Sequence, residues 1–264
     1  MSDTGQLTSS AAEIYDEFFL PALFSAWPAR LVEAARLDRG ARVVDVACGT
    51  GVLAVEAAKA VSPGGTVVGV DLNPGMLAVA RRKAPELDWR EASAEALPFD
   101  SAEFDAVLSQ FGLMFFQDRH AAIREMWRVL RPGGRLVIAV WGPLEHAPGY
   151  LAASQLLARL FGREIAGLLR APYTLGDPRL LEALLLESGV EQPHISHVAG
   201  EARFPSIRSW MHTDLRGWTL SDKLDDEQFE ALVREAENEL RGFVTPRGSV
   251  RFDHPALMAT ASKP

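Results

Sequence analysis

The residues best suited to bind a ligand lie in the stretch VVDVACGTGVLA, residues 43–54. Its β-branched residues predict a buried strand, Arg42–Val46, which runs into a glycine-rich turn and then a helix over residues 52–60. Gly49 and Gly51 let the backbone turn sharply and approach a ligand closely. The free N–H groups at the start of the helix favour an anionic group, such as a carboxylate or a phosphate.

An acidic residue after the next predicted strand extends this candidate site. Asp71 stands about 20 residues after Gly51 and follows a strand predicted over residues 66–70. An acid at that place can accept hydrogen bonds from both ribose hydroxyls of a nucleoside. A glycine turn or an acidic helix cap alone would be unremarkable. Their order (strand, glycine turn, helix, strand, acid) favours a nucleoside-binding site.

The glycine pattern leaves two classes of cofactor open. Residues 49–54 fit the G-x-G-x-x-G/A pattern of dinucleotide sites, which indicates NAD(P) and an oxidoreductase. Asp45 points the other way, because dinucleotide sites normally carry an apolar residue and an early glycine there. The loop EASAEALPF and the unit of helix, Arg-Pro-Gly-Gly turn and strand over residues 124–140 also favour a different nucleoside.

Five motifs extend this pattern: VVDVACGTG, VVGVDLNPGML, EASAEALPF, FDAVLSQFGLMFF and REMWRVLRPGGRLVIAVW. With the helical start IYDEFFLPALFSAW, they resemble the class I S-adenosylmethionine-dependent methyltransferases, above all the bacterial group related to the quinone-biosynthesis C-methyltransferases. The resemblance implies an α/β fold with a Rossmann-like, mostly parallel sheet of seven strands and helices on both faces. A helical N-terminal lid and a C-terminal helical insertion complete it. The implied reaction is in-line transfer of a methyl group from S-adenosylmethionine to a small-molecule acceptor.

The resemblance also implies roles for individual residues. Asp45 and the turn would hold the methionine end of the cofactor, Asp71 the ribose, and the loop around Ser93 the adenine edge. Two positions depart from the family's pattern: Ala47 replaces the first glycine, and Ser93 stands where Asp is frequent. The cofactor-binding candidates are Tyr15, Asp45, Ala47, Cys48, Gly49, Thr50, Gly51, Asp71, Leu72, Met76, Ser93, Ala94, Glu95, Gln110 and Phe111.

A general base is not evident among the six histidines. His146 is the best placed, because it follows the strand predicted over residues 135–140, at the sheet edge where ligands bind in such folds. Cys48 is interpreted as a small packed residue and not as a nucleophile. An apolar acceptor pocket is predicted from a set of residues that core packing would also explain: Met114, Phe115, Trp141, Trp210, His212 and Trp218.

The predicted organisation has four parts. Residues 1–40 form a helical cap whose two helices break near Pro21 and Pro28. Residues 41–145 form the cofactor-binding core, and residues 146–248 a variable helical region with one core helix and one core strand. Residues 249–264 provide the last core strand, predicted over residues 250–260.

Composition restricts the partners. The chain has 264 residues, a formal net charge of −8 and one cysteine. An acidic chain is not suited to nonspecific nucleic-acid binding. With no secretory signal and no 20-residue apolar run, we expect a cytoplasmic monomer or homodimer without membrane insertion. No metal site is expected.

Two alternatives to a methyltransferase stay open. One is an NAD(P)-dependent oxidoreductase. The other is a cofactor-binding scaffold without catalysis, which would keep Asp45 and Asp71 but lack an acceptor cavity.

Overall fold

The computed structural model describes residues 9–216 and 224–264, so Trp218 lies outside the described residues. The helices are α1 Ser9–Ile14, α2 Pro28–Ala35, α3 Val52–Val61, α4 Pro74–Lys83, α5 Arg119–Val129, α6 Pro148–Phe161, α7 Arg163–Arg170, α8 Pro178–Glu187, α9 Ile207–Arg216 and α10 Asp226–Glu239. A π-helix, Tyr15–Phe24, follows α1. The strands are β1 Arg42–Val46, β2 Thr66–Asp71, β3 Asp88–Glu91, β4 Phe104–Gln110, β5 Leu130–Trp141, β6 His194–Val198, β7 Glu201–Phe204, β8 Val250–Asp253 and β9 Ala256–Ser262.

Seven strands form one sheet in the order β3-β2-β1-β4-β5-β9-β6, which confirms the predicted Rossmann-like, mostly parallel α/β fold. Strands β1 to β5 pair in parallel, and β9 runs antiparallel to both of its neighbours. The strand order reverses between β1 and β4. In open α/β sheets, ligands bind in the crevice beyond the carboxyl ends of the strands at such a switch point.

Local signals position the helices that border this crevice. Asn73 caps α4 by accepting hydrogen bonds from the N–H groups of Gly75 and Met76, and Pro74 occupies the first turn. Asp118 caps α5 through the N–H of Ala121, as the sequence predicts. Strand β1 is buried at four of its five positions, which fits its place in the interior of the sheet between β2 and β4.

The structure corrects three local predictions. The single strand predicted over residues 250–260 is two strands: β8 pairs with β7 in a separate two-stranded antiparallel sheet, and β9 joins the main sheet. The break lies at His254 and Pro255, where proline lacks the N–H that a ladder needs. Pro21 does not break the helix but lies inside the π-helix. The Arg-Pro-Gly-Gly turn belongs to β5, which begins at Leu130 and contains Gly133 with a φ of 76°.

The N-terminal segment packs into the main core. Phe19, Phe24, Trp27 and Leu31 are all almost completely buried. Trp27 meets the rings of Phe111 and Trp141 edge-on. Burial on this scale makes the segment part of the folded core, whatever else it covers.

The same segment is also fixed to α4. Ala12 packs against Met76 and Val79. Two exposed ion pairs, Arg82 with Glu13 and Lys83 with Asp16, connect the same helices. Exposed pairs contribute little to stability, so the apolar contact is the main link. Among the helices of residues 9–216 and 224–264, none combines the length and the apolar character needed to cross a membrane.

Replacing Trp27 with alanine tests whether the N-terminal segment is structural. Because the side chain is 1% exposed, we expect Trp27→Ala to lower the free energy of unfolding by roughly 3–5 kcal/mol. Phe18→Ala, in the same segment but only half-buried, should cost clearly less. Urea denaturation measures both. A loss below about 1 kcal/mol for Trp27→Ala would show that the segment is a detachable lid.

Candidate active site

The turn between β1 and α3 passes through left-handed backbone conformations, which strain Ala47 but suit the two glycines. Ala47, Gly49 and Gly51 have φ values of 59°, 55° and 86°. The N–H of Cys48 donates to the carbonyl of Val70, 3.0 Å away, which fastens the turn to the end of β2. Backbone strain of this kind is frequent where a loop is shaped for a ligand.

The two glycines of the turn are required for different reasons. A Cβ on Gly51 would lie 2.4 Å from the Trp89 ring, so no larger residue fits there. A Cβ on Gly49 would meet nothing within 4 Å, so this glycine faces open space. Gly51 is therefore a packing requirement, whereas Gly49 leaves room for an approaching ligand.

Asp71 joins the turn to α4. One carboxylate oxygen accepts the N–H of Gly49 and the other that of Asn73, each at 2.8 Å. Burial raises the pKa of Asp71, and these backbone donors oppose the rise. Each oxygen can accept a further hydrogen bond, so the carboxylate remains able to bind ligand hydroxyls.

Buried polar atoms without a hydrogen-bond partner concentrate in this crevice. Among the residues that the structure describes, both carboxylate oxygens of Asp45 and the hydroxyl of Thr50 lack a partner, as do the Ser109 hydroxyl and the Gln110 carbonyl oxygen. They lie on β1, on the turn after it and at the carboxyl end of β4. Buried polar groups in native proteins nearly always have partners, so this concentration marks the place of a polar ligand.

Asp45 is the residue of this group that most requires a partner. Its side chain is fully buried, and burial raises its pKa well above the usual value. The backbone N–H of Ala54 opposes this rise in pKa, although its position does not meet the geometry of a hydrogen bond. The negative charge of Asp71 adds to the rise. A cationic ligand group beside Asp45 would relieve this cost.

The residues predicted for the adenine side divide into two groups. Leu72 is 52% exposed and Met76 is buried beside it on α4, so an apolar surface borders Asp71. Ala94 is buried, and Ser93 accepts the N–H of Glu95. One carboxylate oxygen of Glu95 accepts the N–H groups of both Gln117 and Asp118, so this side chain holds the loop before α5.

Tyr15 connects the N-terminal segment to the crevice. Its ring stacks on Phe19 and Phe24. Burial and the nearby charges of Asp71, Asp16 and Asp45 raise its pKa. Two of these charges belong to the glycine-turn site, so the segment lies over that site. Cys48 is buried, and burial raises the pKa of its thiol, which agrees with a packing role.

The residues after β4 form an aromatic wall. Phe111 has a φ of 55°, a strained value for a bulky residue, and its ring stacks on Trp141 at 3.8 Å. Trp141 stacks in turn on His254, also at 3.8 Å. Phe24 touches both Phe111 and Trp141. The wall separates the glycine-turn crevice from a second cavity.

That second cavity contains residues that sequence reasoning missed. Tyr150, Tyr173, Asp214 and His254 line it, beside Trp141, which is one of the predicted acceptor-side residues. Tyr173 and His254 share a 2.8 Å hydrogen bond between the hydroxyl and Nε2, while Nδ1 of His254 is buried without a partner. Only tertiary structure brings these residues together. One sequence signal existed, since Trp210 and Asp214 are spaced four residues apart on one helix.

The other acceptor-side predictions lie elsewhere. Trp210 is fully buried behind the cavity and donates its indole N–H to Asp214. Met114 is buried in the turn after β4, and Phe115 is 48% exposed; neither lines the cavity. His212 is exposed between Phe18 and Phe229, and His146 is exposed after β5. His146 therefore has no position from which to serve as a base in this cavity.

Part of the chain is similar to known methyltransferases. Residues 44–138 match a family model described as a methyltransferase domain. The chain is 43% identical over 143 residues to the demethylmenaquinone methyltransferase of Thermus thermophilus, covering 53% of this chain and 62% of that protein. It is 36% identical over 146 residues to the ubiquinone/menaquinone biosynthesis C-methyltransferase of Hahella chejuensis, covering 52% and 59%. The chain thus spans less than two thirds of the length of these curated relatives.

A solved structure shares the fold over almost the whole chain. It is the phosphoethanolamine N-methyltransferase 2 of Haemonchus contortus, in complex with phosphomonomethylethanolamine and S-adenosylhomocysteine. The TM-score is 0.63, the identity is 20%, and the alignment covers 98% of this chain and 58% of that one. At this identity the likeness concerns the fold alone.

Two buried groups of the second cavity should affect stability in opposite directions. Burial lowers the pKa of His254 from 6.5 to about 3 and raises that of Asp214 from 3.8 to about 7. Between pH 3 and pH 6.5, unfolded His254 binds a proton that the native residue lacks, so the contribution of His254 to stability rises with pH over that range. Native Asp214 holds a proton that the unfolded residue lacks between pH 4 and 7, so its contribution falls with pH.

We therefore predict that Asp214→Asn changes the pH dependence of folding. Relative to wild type, the variant should gain on the order of 4 kcal/mol of stability between pH 4 and pH 7, because the falling contribution of Asp214 is removed. Urea denaturation at unit pH steps from 4 to 8 measures the difference. A constant difference across that range would contradict the raised pKa.

Proposed function

We propose that the protein transfers a methyl group from S-adenosylmethionine to a small-molecule acceptor, in keeping with the match of residues 44–138 to a methyltransferase-domain model. One observation carries the proposal: the unpartnered buried polar atoms gather at the sheet's switch point, beside the glycine turn and Asp71. These groups need a ligand that is polar along its length and carries a cationic group for Asp45.

The residues present fit this cofactor. The first turn of α3 has no side-chain cap, so its N–H groups are available to a carboxylate such as that of the methionine end. Asp45 would take the amino group of that end. Asp71 would accept the ribose hydroxyls, and Leu72 and Met76 would cover the adenine. Thr50, Ser109 and Gln110 supply further hydrogen-bonding groups.

The protein's contribution to the chemistry is positioning and exclusion of water. When bound, S-adenosylmethionine supplies a methyl group already activated on a sulfonium. Phe24, Phe111 and Trp141 build a dry wall at the end of the crevice. Holding the acceptor in line in a dry site supplies most of the acceleration of such a displacement.

The acceptor is a small molecule in this proposal. The curated relatives are named for quinone methylation, which supports a small organic acceptor. The domain match ends at residue 138, before β9 and the helices α6 to α9. Acceptor choice therefore belongs to a part of the chain outside the matched domain.

The direct test is transfer of an isotopically labelled methyl group. The protein is incubated with labelled S-adenosylmethionine and a metabolite extract, and mass spectrometry searches for labelled products. A labelled small molecule would establish transfer. Binding of S-adenosylhomocysteine without any labelled product would favour a non-catalytic scaffold, and saturable binding of NADH would favour an oxidoreductase.

Asp71→Asn should weaken cofactor binding. The amide removes the charge and directs an N–H₂ group toward one of two backbone donors, Gly49 or Asn73. Loss of charge-assisted hydrogen bonds to ribose should cost roughly 2–4 kcal/mol, or about 30- to 1,000-fold in the Kd of S-adenosylhomocysteine. Isothermal titration calorimetry measures this loss.

A matched control for Asp71→Asn exists at the other, amino-terminal end of the parallel strands. Asp105, near the start of β4, also accepts a backbone N–H, that of Arg42, and pairs with Arg131. Asp105→Asn should lower stability yet leave the Kd for S-adenosylhomocysteine unchanged. Equal affinities for wild type and Asp71→Asn would remove Asp71 from the proposed site.

A further inference from the structure

The second cavity contains a buried carboxylate without a positive partner. Asp214 is 7% exposed and accepts hydrogen bonds from two neutral donors: the Trp210 indole N–H at 2.6 Å and the Tyr150 hydroxyl at 3.2 Å. Within the described residues, no lysine or arginine lines this cavity. His254, the other titratable base there, is held neutral, because burial lowers its pKa to about 3.

Aromatic rings form much of the remaining wall. Tyr150 and Tyr173 lie 6.0 Å apart between ring centroids, and both face His254, which stacks on Trp141. Phe19 and Phe24 close the cavity from the π-helix. Aromatic faces carry negative potential and attract cations, most strongly where water is excluded.

The cavity lies next to the place where the methyl group would be transferred. Trp141 and Phe24 line it, and both contact Phe111 at the end of β4. The cavity's unfilled space, including its opening to solvent, is about 470 Å³. A molecule anchored there would meet the crevice across this one aromatic wall.

We propose that this cavity anchors an ammonium group of the acceptor, held by the carboxylate of Asp214 beside the rings of Tyr150 and Tyr173, so that the acceptor is a molecule that carries an amine. The inference rests on the proposed methyl transfer and adds the substrate class. A neutral hydroxyl would obtain a hydrogen bond from this site but would leave the buried negative charge uncompensated. A cation compensates that charge and also gains from the aromatic faces.

The test compares two probes of nearly equal shape and different charge. n-Butylammonium and 1-butanol are titrated separately into the full-length protein at pH 8, with and without S-adenosylhomocysteine, and ligand-observed NMR gives both Kd values. At this pH the carboxylate of Asp214 is mostly ionised, because its pKa is about 7. We expect n-butylammonium to bind at least 10-fold more tightly than 1-butanol. Equal binding, or tighter binding of 1-butanol, would overturn the inference without any variant.

Two variants separate this site from general attraction to an acidic protein. Asp214→Asn should bring the two Kd values to within about 2-fold of each other. Glu191→Gln removes an equal charge from an exposed position and should keep the preference. If Glu191→Gln abolishes the preference as completely as Asp214→Asn does, the cation is bound by the net charge of −8 and the inference is wrong.

Binding of S-adenosylhomocysteine tests the proposed function separately from the substrate class. S-Adenosylhomocysteine that binds with wild-type affinity, while the amine shows no preference, would refute the substrate class and leave methyl transfer intact. Failure of S-adenosylhomocysteine to bind would refute the proposed function itself. If Asp214→Asn does not fold, the comparison of the two probes in wild-type protein still decides the question.

Discussion

The carboxylate of Asp71 is the interaction on which the glycine-turn site depends. Its two oxygens receive the N–H groups of Gly49 and Asn73, so one side chain joins the turn after β1 to the end of β2 and the start of α4. The turn itself is strained at Ala47. Charge-assisted hydrogen bonds in a buried setting are strong enough to offset such strain. The open space over Gly49 exists because Asp71 fixes the turn in this conformation.

The crevice that Asp71 shapes is costly for the folded protein. Each buried polar atom that lacks a partner costs about 1–3 kcal/mol, and Asp45, Thr50, Ser109 and Gln110 all contribute such atoms. The surrounding sheet, with β1 buried on both faces, stabilises the fold enough to tolerate this cost. A ligand that satisfies these atoms recovers the cost as binding energy. Stability and affinity are therefore coupled at this site.

The sequence predicts the parts of the site that short-range signals define. The glycine turn, the acid after β2 and the helix caps at Asn73 and Asp118 each depend on residues a few positions apart. The second cavity has no such signal. His254 reaches Tyr173 across 81 positions, and Tyr150 reaches Asp214 across 64. Those contacts arise only when the two-stranded sheet of β7 and β8 and the helices after β5 pack together.

The failed local predictions have the same cause. Residues 250–260 carry one uninterrupted strand pattern, yet β8 and β9 belong to different sheets. The change of sheet occurs at His254, whose N–H donates to Gly200, a residue pressed against Trp27 of the N-terminal segment. Pro21 does not break the helix, because the π-helix around it packs into the core. In both cases distant tertiary contacts override a sound local preference.

This division between local and distant contacts also divides the two sites. Every side chain that we place around the ammonium group lies outside residues 44–138, whereas the glycine turn, Asp71 and Phe111 lie within them. The stacked rings of Phe111, Trp141 and His254 are the contact between the two parts. Substitutions around Asp214 can therefore alter which acceptor is held without disturbing the hydrogen bonds of Asp71. Under the proposed function, a fold built in this way would keep one methyl-donor site and let the segments that pack against it choose the acceptor.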